Sequence, residues 1–294
     1  MTRWLIVLAV ALAGIHGASL RAAEPFELKD KDRVVWLGAT FVEREGQFGY
    51  LETTLTTAWP DRKVTFRNLG WSGDTVWAES RGIFDAPQVG YQRMLELIKE
   101  LKPTIIIMGY GLNESYADDA GLPPFVRQFE KLCDDVKPTG ARLAFLTPPR
   151  LERPAPPLPD ASRHNEMLER YASAIRELAA RREAPVIDLF AIESPSKLTE
   201  NGMHFGPAGY AAIASAVRTQ LKLQPSGLTS DQEEQLRRRV VEKNMLFFHR
   251  WRPQNITYLT GFRKHEQGNN AVEIAQFDPL VEQIETLIDQ QKKP

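Results

Sequence analysis

Thr104-Ile105-Ile106-Ile107-Met108 is apolar on both faces from Ile105 onward. A strand with one face in water alternates polar and apolar residues. A continuous apolar run instead suits the centre of a parallel sheet covered on both sides. Four more segments read as strands: Arg33 to Gly38, Lys63 to Leu69, Ala141 to Leu146 and Pro185 to Leu189. Helical patterns separate them, over Glu43 to Trp59, Val89 to Leu101, Pro124 to Val136, Arg163 to Glu183 and Gly206 to about Leu221. This alternation predicts an α/β fold: a three-layer α/β/α sandwich on a five-stranded, parallel, doubly wound sheet. Ligand and catalytic sites in such sheets collect at the carboxyl ends of the strands.

The two ends of the chain read differently from this centre. Arg3 followed by the short apolar stretch Trp4 to Gly14 and small residues at Gly17-Ala18-Ser19 and Ala22-Ala23 has the pattern of an export signal. The apolar run is about half the ~20 residues a membrane span needs. Residues 1–23 are therefore expected to be a signal peptide, and the protein to be exported to the periplasm or beyond the cell. Residues 24–225 are expected to form the main domain. From Ser226 the composition changes, with the charged helix Asp231 to Val241, the aromatic and arginine-rich Phe247 to Pro253, and the amphipathic helix Phe277 to Gln291. Residues 226–294 are expected to be a helical, loop-rich extension packed on the main domain. The formal charge of −1 gives no basis for nucleic-acid binding. Cys133 is the only cysteine, so no intrachain disulfide forms.

Four short blocks follow strand ends or precede a helix: Gly38-Ala39-Thr40, Asn68 to Thr75, Gly111-Leu112-Asn113-Glu114 and Asn201-Gly202-Met203-His204. Together they offer a hydroxyl, a glycine amide, an asparagine amide and a histidine. Acyl transfer needs those groups: a nucleophile, donors for the oxyanion, a base and something to orient it. Thr40 is the candidate nucleophile, His204 the candidate base and Asn201 its orienter. Gly73, Asn113 and the Thr40 amide are the candidate oxyanion donors. Ser72, Tyr110 and Glu114 stand close enough in sequence to touch a substrate, and Ser72 is also a spare hydroxyl. No metal or cofactor is called for. The other histidines lack such a setting; His164, for example, falls on a charged helix.

These blocks resemble the SGNH hydrolase superfamily, the GDSL-type esterases and lipases. That family carries a Gly-Asp-Ser nucleophile block, an oxyanion glycine in Asn-x-Gly-x-x-Gly, an oxyanion asparagine in Gly-x-Asn-Asp and a late Asp-x-x-His. Asn68 to Thr75 matches the glycine block, with Gly73 as donor. Glu114 replaces the aspartate of the asparagine block, Asn201 the aspartate before His204, and Gly38-Ala39-Thr40 shares only its glycine with the first block. The resemblance spans about residues 33–222 and implies a flavodoxin-like sandwich and hydrolysis of a small ester, such as the acetyl of an acylated carbohydrate. Asn68 to Trp77 and Phe248 to Asn255 also resemble exported SGNH-type proteins of planctomycete bacteria with an extension of this kind.

Two departures leave alternatives open. Thr40-x-x-Glu43 is a capping-box pattern, so Thr40 is either a nucleophile or a helix cap. Asn201 can orient a histidine but cannot stabilise an imidazolium as a carboxylate does. The alternative to an ester hydrolase is thus an inactive SGNH-fold module that binds a carbohydrate or an ester-bearing ligand. A flavodoxin-like nucleotide binder is less well supported, because the first loop lacks a run of glycine or hydroxyl residues for phosphate. In the extension, Arg250, Arg252, Arg263 and Lys264 with Trp251 and Tyr258 either bind an acidic sugar or hold the extension down by stacking and ion pairing.

Overall fold

The computed structural model describes residues 25–193, 197–266 and 270–293. The expected signal peptide, residues 1–23, lies outside them. Five strands form one parallel sheet: β1 (Arg33–Gly38), β2 (Thr65–Gly70), β3 (Ile105–Gly109), β4 (Arg142–Leu146) and β5 (Val186–Ile187). Their order is β2-β1-β3-β4-β5. This is the flavodoxin-like arrangement, whose chain reverses direction between β1 and β3 and leaves a crevice there.

Alternate strand residues supply two cores. Val35, Leu37, Ile106, Met108 and Phe145 face α3 (Pro87–Leu101), α4 (Asp118–Val136) and α5 (Asn165–Arg181). Val34, Trp36, Ile105, Ile107 and Leu146 face α1 (Thr40–Phe48), α2 (Tyr50–Ala58) and α6 (Pro207–Gln220). The both-faced apolar strands thus bury both faces, as their composition demands. The helix expected over Glu43 to Trp59 is two helices. Gly49 adopts φ +70° and closes α1 by donating its N–H to Glu45 O at 2.7 Å. That backbone conformation is open to glycine and strained for other residues.

A row of glycines sets the top of the sheet. Gly38 pairs in register with Gly70 on one side and Gly109 on the other. A Cβ on Gly38 would lie 2.4 Å from Gly109 O, and one on Gly70 would lie 2.2 Å from Glu43 N. Side chains here would push α1 off the strand ends. Their absence lets the helix begin two residues after β1, with Thr40 at the crevice.

The extension contributes α7 (Ser230–Trp251), the short α8 (Ile256–Leu259) and α9 (Phe277–Gln291). The charged helix expected to stop at Val241 runs to Trp251, so the aromatic segment is helical. α7 and α9 join through Leu236, Val240, Ile284 and Ile288. α7 docks on the β2 edge through Lys243, which is buried and donates to Phe66 O at 3.0 Å and to Glu52 Oε1 at 2.7 Å. Among the described residues no helix is long and apolar enough to cross a membrane.

Candidate active site

Thr40 is the first residue of α1, and Ala39, not Thr40, occupies the capping position. The Ala39 carbonyl already accepts the Glu43 N–H at 3.1 Å. The capping box therefore does not form: no side chain caps this helix. Glu43 turns away, and its Oε2 accepts the Ser72 N–H at 2.6 Å and Arg252 Nη1 at 2.9 Å. Thr40 Oγ1 is left facing the crevice, where it accepts the Gly73 N–H at 3.1 Å. The Thr40 N–H has no hydrogen-bond partner among the described residues, as expected in a first helical turn.

Gly73 takes φ +75° to aim its N–H at Thr40. Asn113 opens a short 3-10 turn, Glu114–Ala117, after β3, and its Nδ2 donates to Asp74 O at 2.7 Å. Thr40 and Asn113 line one small cleft of about 30 Å³ with Ala39, Leu112 and Pro148. Behind these loops lies a buried polar cluster. Asp74 pairs with Arg81 Nε at 2.6 Å. Arg81 also donates to Leu69 O at 2.8 Å.

Two expected substrate contacts belong to this inner cluster instead. Glu114 is buried, and its two oxygens accept the Val76 and Gly111 N–H groups, each at 2.8 Å. Burial outweighs those two bonds and lifts its carboxyl to about 7. Tyr110 is 2 % exposed, with its hydroxyl 3.5 Å from Asp74 Oδ2, so its ring is core. Burial raises its hydroxyl above the ordinary tyrosine range. Ser72 is exposed, and its hydroxyl makes no hydrogen bond among the described residues.

The histidine turn lies across α1 from these donors. Phe41, next to Thr40, meets Phe205, next to His204, with ring centres 6.0 Å apart. Arg44 Nη2 donates to Phe205 O at 3.1 Å. Thr40 and His204 are nevertheless not hydrogen bonded, and the partner of His204 Nδ1 is Asn201 Nδ2 at 3.0 Å. The orientation of that amide is decided by its other end. Asn201 Oδ1 accepts the Met203 N–H at 3.1 Å and the His204 N–H at 2.9 Å. Flipping the amide would aim N–H groups at N–H groups. Nδ2 must therefore donate to Nδ1, which puts the ring proton on Nε2. A triad carboxylate does the opposite: it accepts from Nδ1–H and leaves Nε2 free as a base. Burial, with Arg44 nearby, also holds the imidazolium below the ordinary histidine range.

Sequence reasoning missed several neighbours. Tyr116, half exposed, stacks on His164 at 4.2 Å with 3° between the rings. His164 Nε2 lies 2.8 Å from Ser115 Oγ, on the same turn as Asn113. No local pattern announces this contact, since 49 residues separate the pair. Arg81 was equally silent. In the extension the arginines are held internally: Arg250 by Glu100 and Asp278, Arg252 by Glu43, and Arg263 by Glu266.

The profile of the GDSL-like Lipase/Acylhydrolase family matches residues 37–212. The chain belongs to this family. On that ground it falls in the class of ester-hydrolysing enzymes. Among solved structures, the acetylxylan esterase Axe2 of Geobacillus stearothermophilus superposes with a TM-score of 0.52 at 16 % identity, covering 68 % of this chain and 98 % of that one. The gut microbial diltiazem-metabolizing enzyme BT4096 gives 0.50 at 18 % identity over 69 % of this chain. The match spans only 49 % of BT4096. At such identities these likenesses establish the shared fold. No curated protein sequence matches the chain.

Proposed function

We propose that this protein is an exported ester hydrolase that removes a small acyl group, such as acetyl, from a carbohydrate, with Thr40 as nucleophile. The observation that carries this reading is Thr40 Oγ1 itself: it is released from helix capping and stands 3.1 Å from the Gly73 N–H, in one cleft with Asn113. An N–H already aimed at the attacking oxygen is close to the carbonyl oxygen of any ester that oxygen attacks. Gly73, Asn113 and the free Thr40 N–H would receive the negative charge of the tetrahedral intermediate. With His204 in its Nδ1–H tautomer, Thr40 Oγ1 bonds to the acyl carbon as its proton passes to Nε2, and the ester C–O bond breaks as the alcohol leaves with that proton. Water, activated in the same way, then releases the acid and restores Thr40. The cleft beside Thr40 and Asn113 is small, which favours a small acyl group. The structural neighbour Axe2 is an acetylxylan esterase, in keeping with a small acyl on a sugar. The basic, apolar and small-residue pattern of residues 1–23 supports export.

The alternative, a module that binds such a ligand without cleaving it, is favoured by one observation. Asn201 donates to His204 Nδ1, so the resting ring offers a proton at Nε2 instead of accepting one. Catalysis then requires the other tautomer, which breaks the Asn201 bond to the ring. Hydrolysis of an acetyl ester by wild type, Thr40→Ala and Thr40→Ser separates the two readings. Activity lost in Thr40→Ala establishes the threonine nucleophile. An inactive wild type that gains activity in Thr40→Ser establishes the binding module, and activity surviving Thr40→Ala removes Thr40 from the mechanism.

A further inference from the structure

The chain after residue 212 lies beyond the stretch that matches the family profile. α7 of that segment ends at Trp251 and Arg252, against the loop that carries Gly73. Two lines of contact run from there to the donor groups. On the first, Arg252 Nη1 donates to Glu43 Oε2 at 2.9 Å, and the same oxygen accepts the Ser72 N–H at 2.6 Å. The Arg252 guanidinium also lies 3.6 Å from the centre of the Trp71 ring. Trp71 and Ser72 immediately precede Gly73. On the second, the Trp251 ring sits 5.8 Å from Trp71, and the Arg81 guanidinium lies 5.6 Å from Trp71 and 6.0 Å from Trp251. Arg81 grips Asp74 Oδ2 and Leu69 O, and the Asp74 carbonyl accepts from Asn113 Nδ2 at 2.7 Å.

We propose that Trp251 and Arg252 are positioning residues: the C-terminal segment, outside the family core, sets the Gly73 and Asn113 donors of the site. The kinetic part of this inference rests on the ester-hydrolase reading above; the structural part does not. Without Arg252, the Glu43 carboxylate is free to turn toward water and let go of the Ser72 N–H. Without Trp251, water reaches the Arg81–Asp74 pair, which is now 4 % and 0 % exposed. Either change loosens a loop that must hold a donor in place, and an error near 1 Å costs about 10²-fold in rate. Donors that act mainly in the transition state change kcat and leave KM nearly as it was.

The test uses the full chain carrying Trp251→Ala, Arg252→Ala or, as a control on an exposed part of α7, Arg238→Ala. Turnover of p-nitrophenyl acetate and the ¹⁵N–¹H signals of the Gly73 amide and the Asn113 side chain are measured. In the two site-facing variants kcat should fall about 10- to 100-fold with KM within about twofold. The Gly73 and Asn113 signals should move, while Arg238→Ala changes neither. Arg252→Ala combined with Asn113→Ala should lose less than the product of the single losses, because both act through one donor set. Folded alanine variants whose Gly73 and Asn113 signals stay at their wild-type positions overturn the proposal. Where an alanine variant does not fold, Trp251→Phe and Arg252→Lys take its place. Lysine keeps the charge but not the planar stacking fork, so the Gly73 signal should still move. Unmoved signals in both of these overturn it equally. A wild type without turnover counts against the hydrolase reading alone, and the amide signals then decide this inference.

Discussion

The two sides of the crevice are built to different standards. The donor side is fixed many times over: Asn113 is tied to Asp74, Asp74 to Arg81, and Glu114 to both the Val76 and Gly111 amides. The histidine side is a half-buried turn whose ring makes a single hydrogen bond among the described residues, from an amide where the family has a carboxylate. The donor side also holds the fold together at the strand ends, so altering it threatens folding. Asn201 serves only its own turn and ring, so a carboxylate can be exchanged for an amide there at the expense of chemistry alone. A protein can thus keep the fold of a family while single residues of its site depart from the pattern.

The largest effect should come from restoring the weaker side. Asn201→Asp lets Oδ2 accept from Nδ1–H, frees Nε2 and stabilises the imidazolium. Turnover should rise, by up to about 10⁴-fold, the size of the loss seen when a triad aspartate becomes asparagine. The acidic limb of the pH–rate profile should also move upward, because the new carboxylate counters the burial and Arg44 that now hold His204 down. An unchanged rate and limb would mean that His204 is not the base. Next comes Arg81→Met, which leaves Asp74 buried and uncompensated. Urea unfolding should show a loss of about 3–5 kcal/mol. His204→Gln on the other side should cost under about 1 kcal/mol. Similar losses at the two positions would erase the contrast between the sides.

Asn113→Ala should lower kcat by about 10²–10³-fold and cost about 1 kcal/mol of stability, far less than Arg81→Met. Equal turnover would remove Asn113 from the site. The last prediction concerns pH. Burial raises the Glu45 carboxyl from 4.5 to about 8, and the Glu114 carboxyl to about 7. Folded pKa values above the unfolded ones mean that the folded state holds extra protons. Their contribution to stability is full below about 4.5 and is lost as pH rises through 7 and 8. Glu45→Gln should flatten that decline by at most about 1.4 kcal/mol per pH unit. Urea titrations from pH 5 to 8 that retain the wild-type slope would show that Glu45 is ionised when folded.

Thr229 and Thr40 show why one sequence pattern did not suffice. Thr229 and Gln232 form a full capping box on α7, with the Thr229 N–H donating to Gln232 Oε1 at 2.8 Å. Thr40 and Glu43 carry the same spacing and form none. The difference is a single residue in where the helix begins, and the glycine row at Gly38, Gly70 and Gly109 decides it by letting α1 settle on the strand ends. Capping was therefore legible as a possibility and not as a fact. The four site blocks were legible because each is local and follows a predicted strand or leads into a predicted helix. Arg81 and Tyr116 were not, because their roles depend on partners far away in sequence; for Trp251 and Arg252 stacking and ion pairing were legible, but not that the partners are Trp71 and Glu43.

The sequence by itself determined the layered α/β fold, since apolar runs that must bury both faces and alternate with amphipathic helices leave few other arrangements. It also named Thr40, Gly73 and Asn113, which the structure brings close together, Thr40 to the Gly73 N–H and into one cleft with Asn113. The tertiary structure alone decided what those residues do there. Backbone N–H groups at Met203 and His204 set the direction of the Asn201 amide, and with it the proton on His204. The first turn of α1 set the freedom of the Thr40 hydroxyl. Both outcomes turn on the aim of a single polar group within an angstrom or so, and hydrophobic pattern and spacing carry no information on that scale.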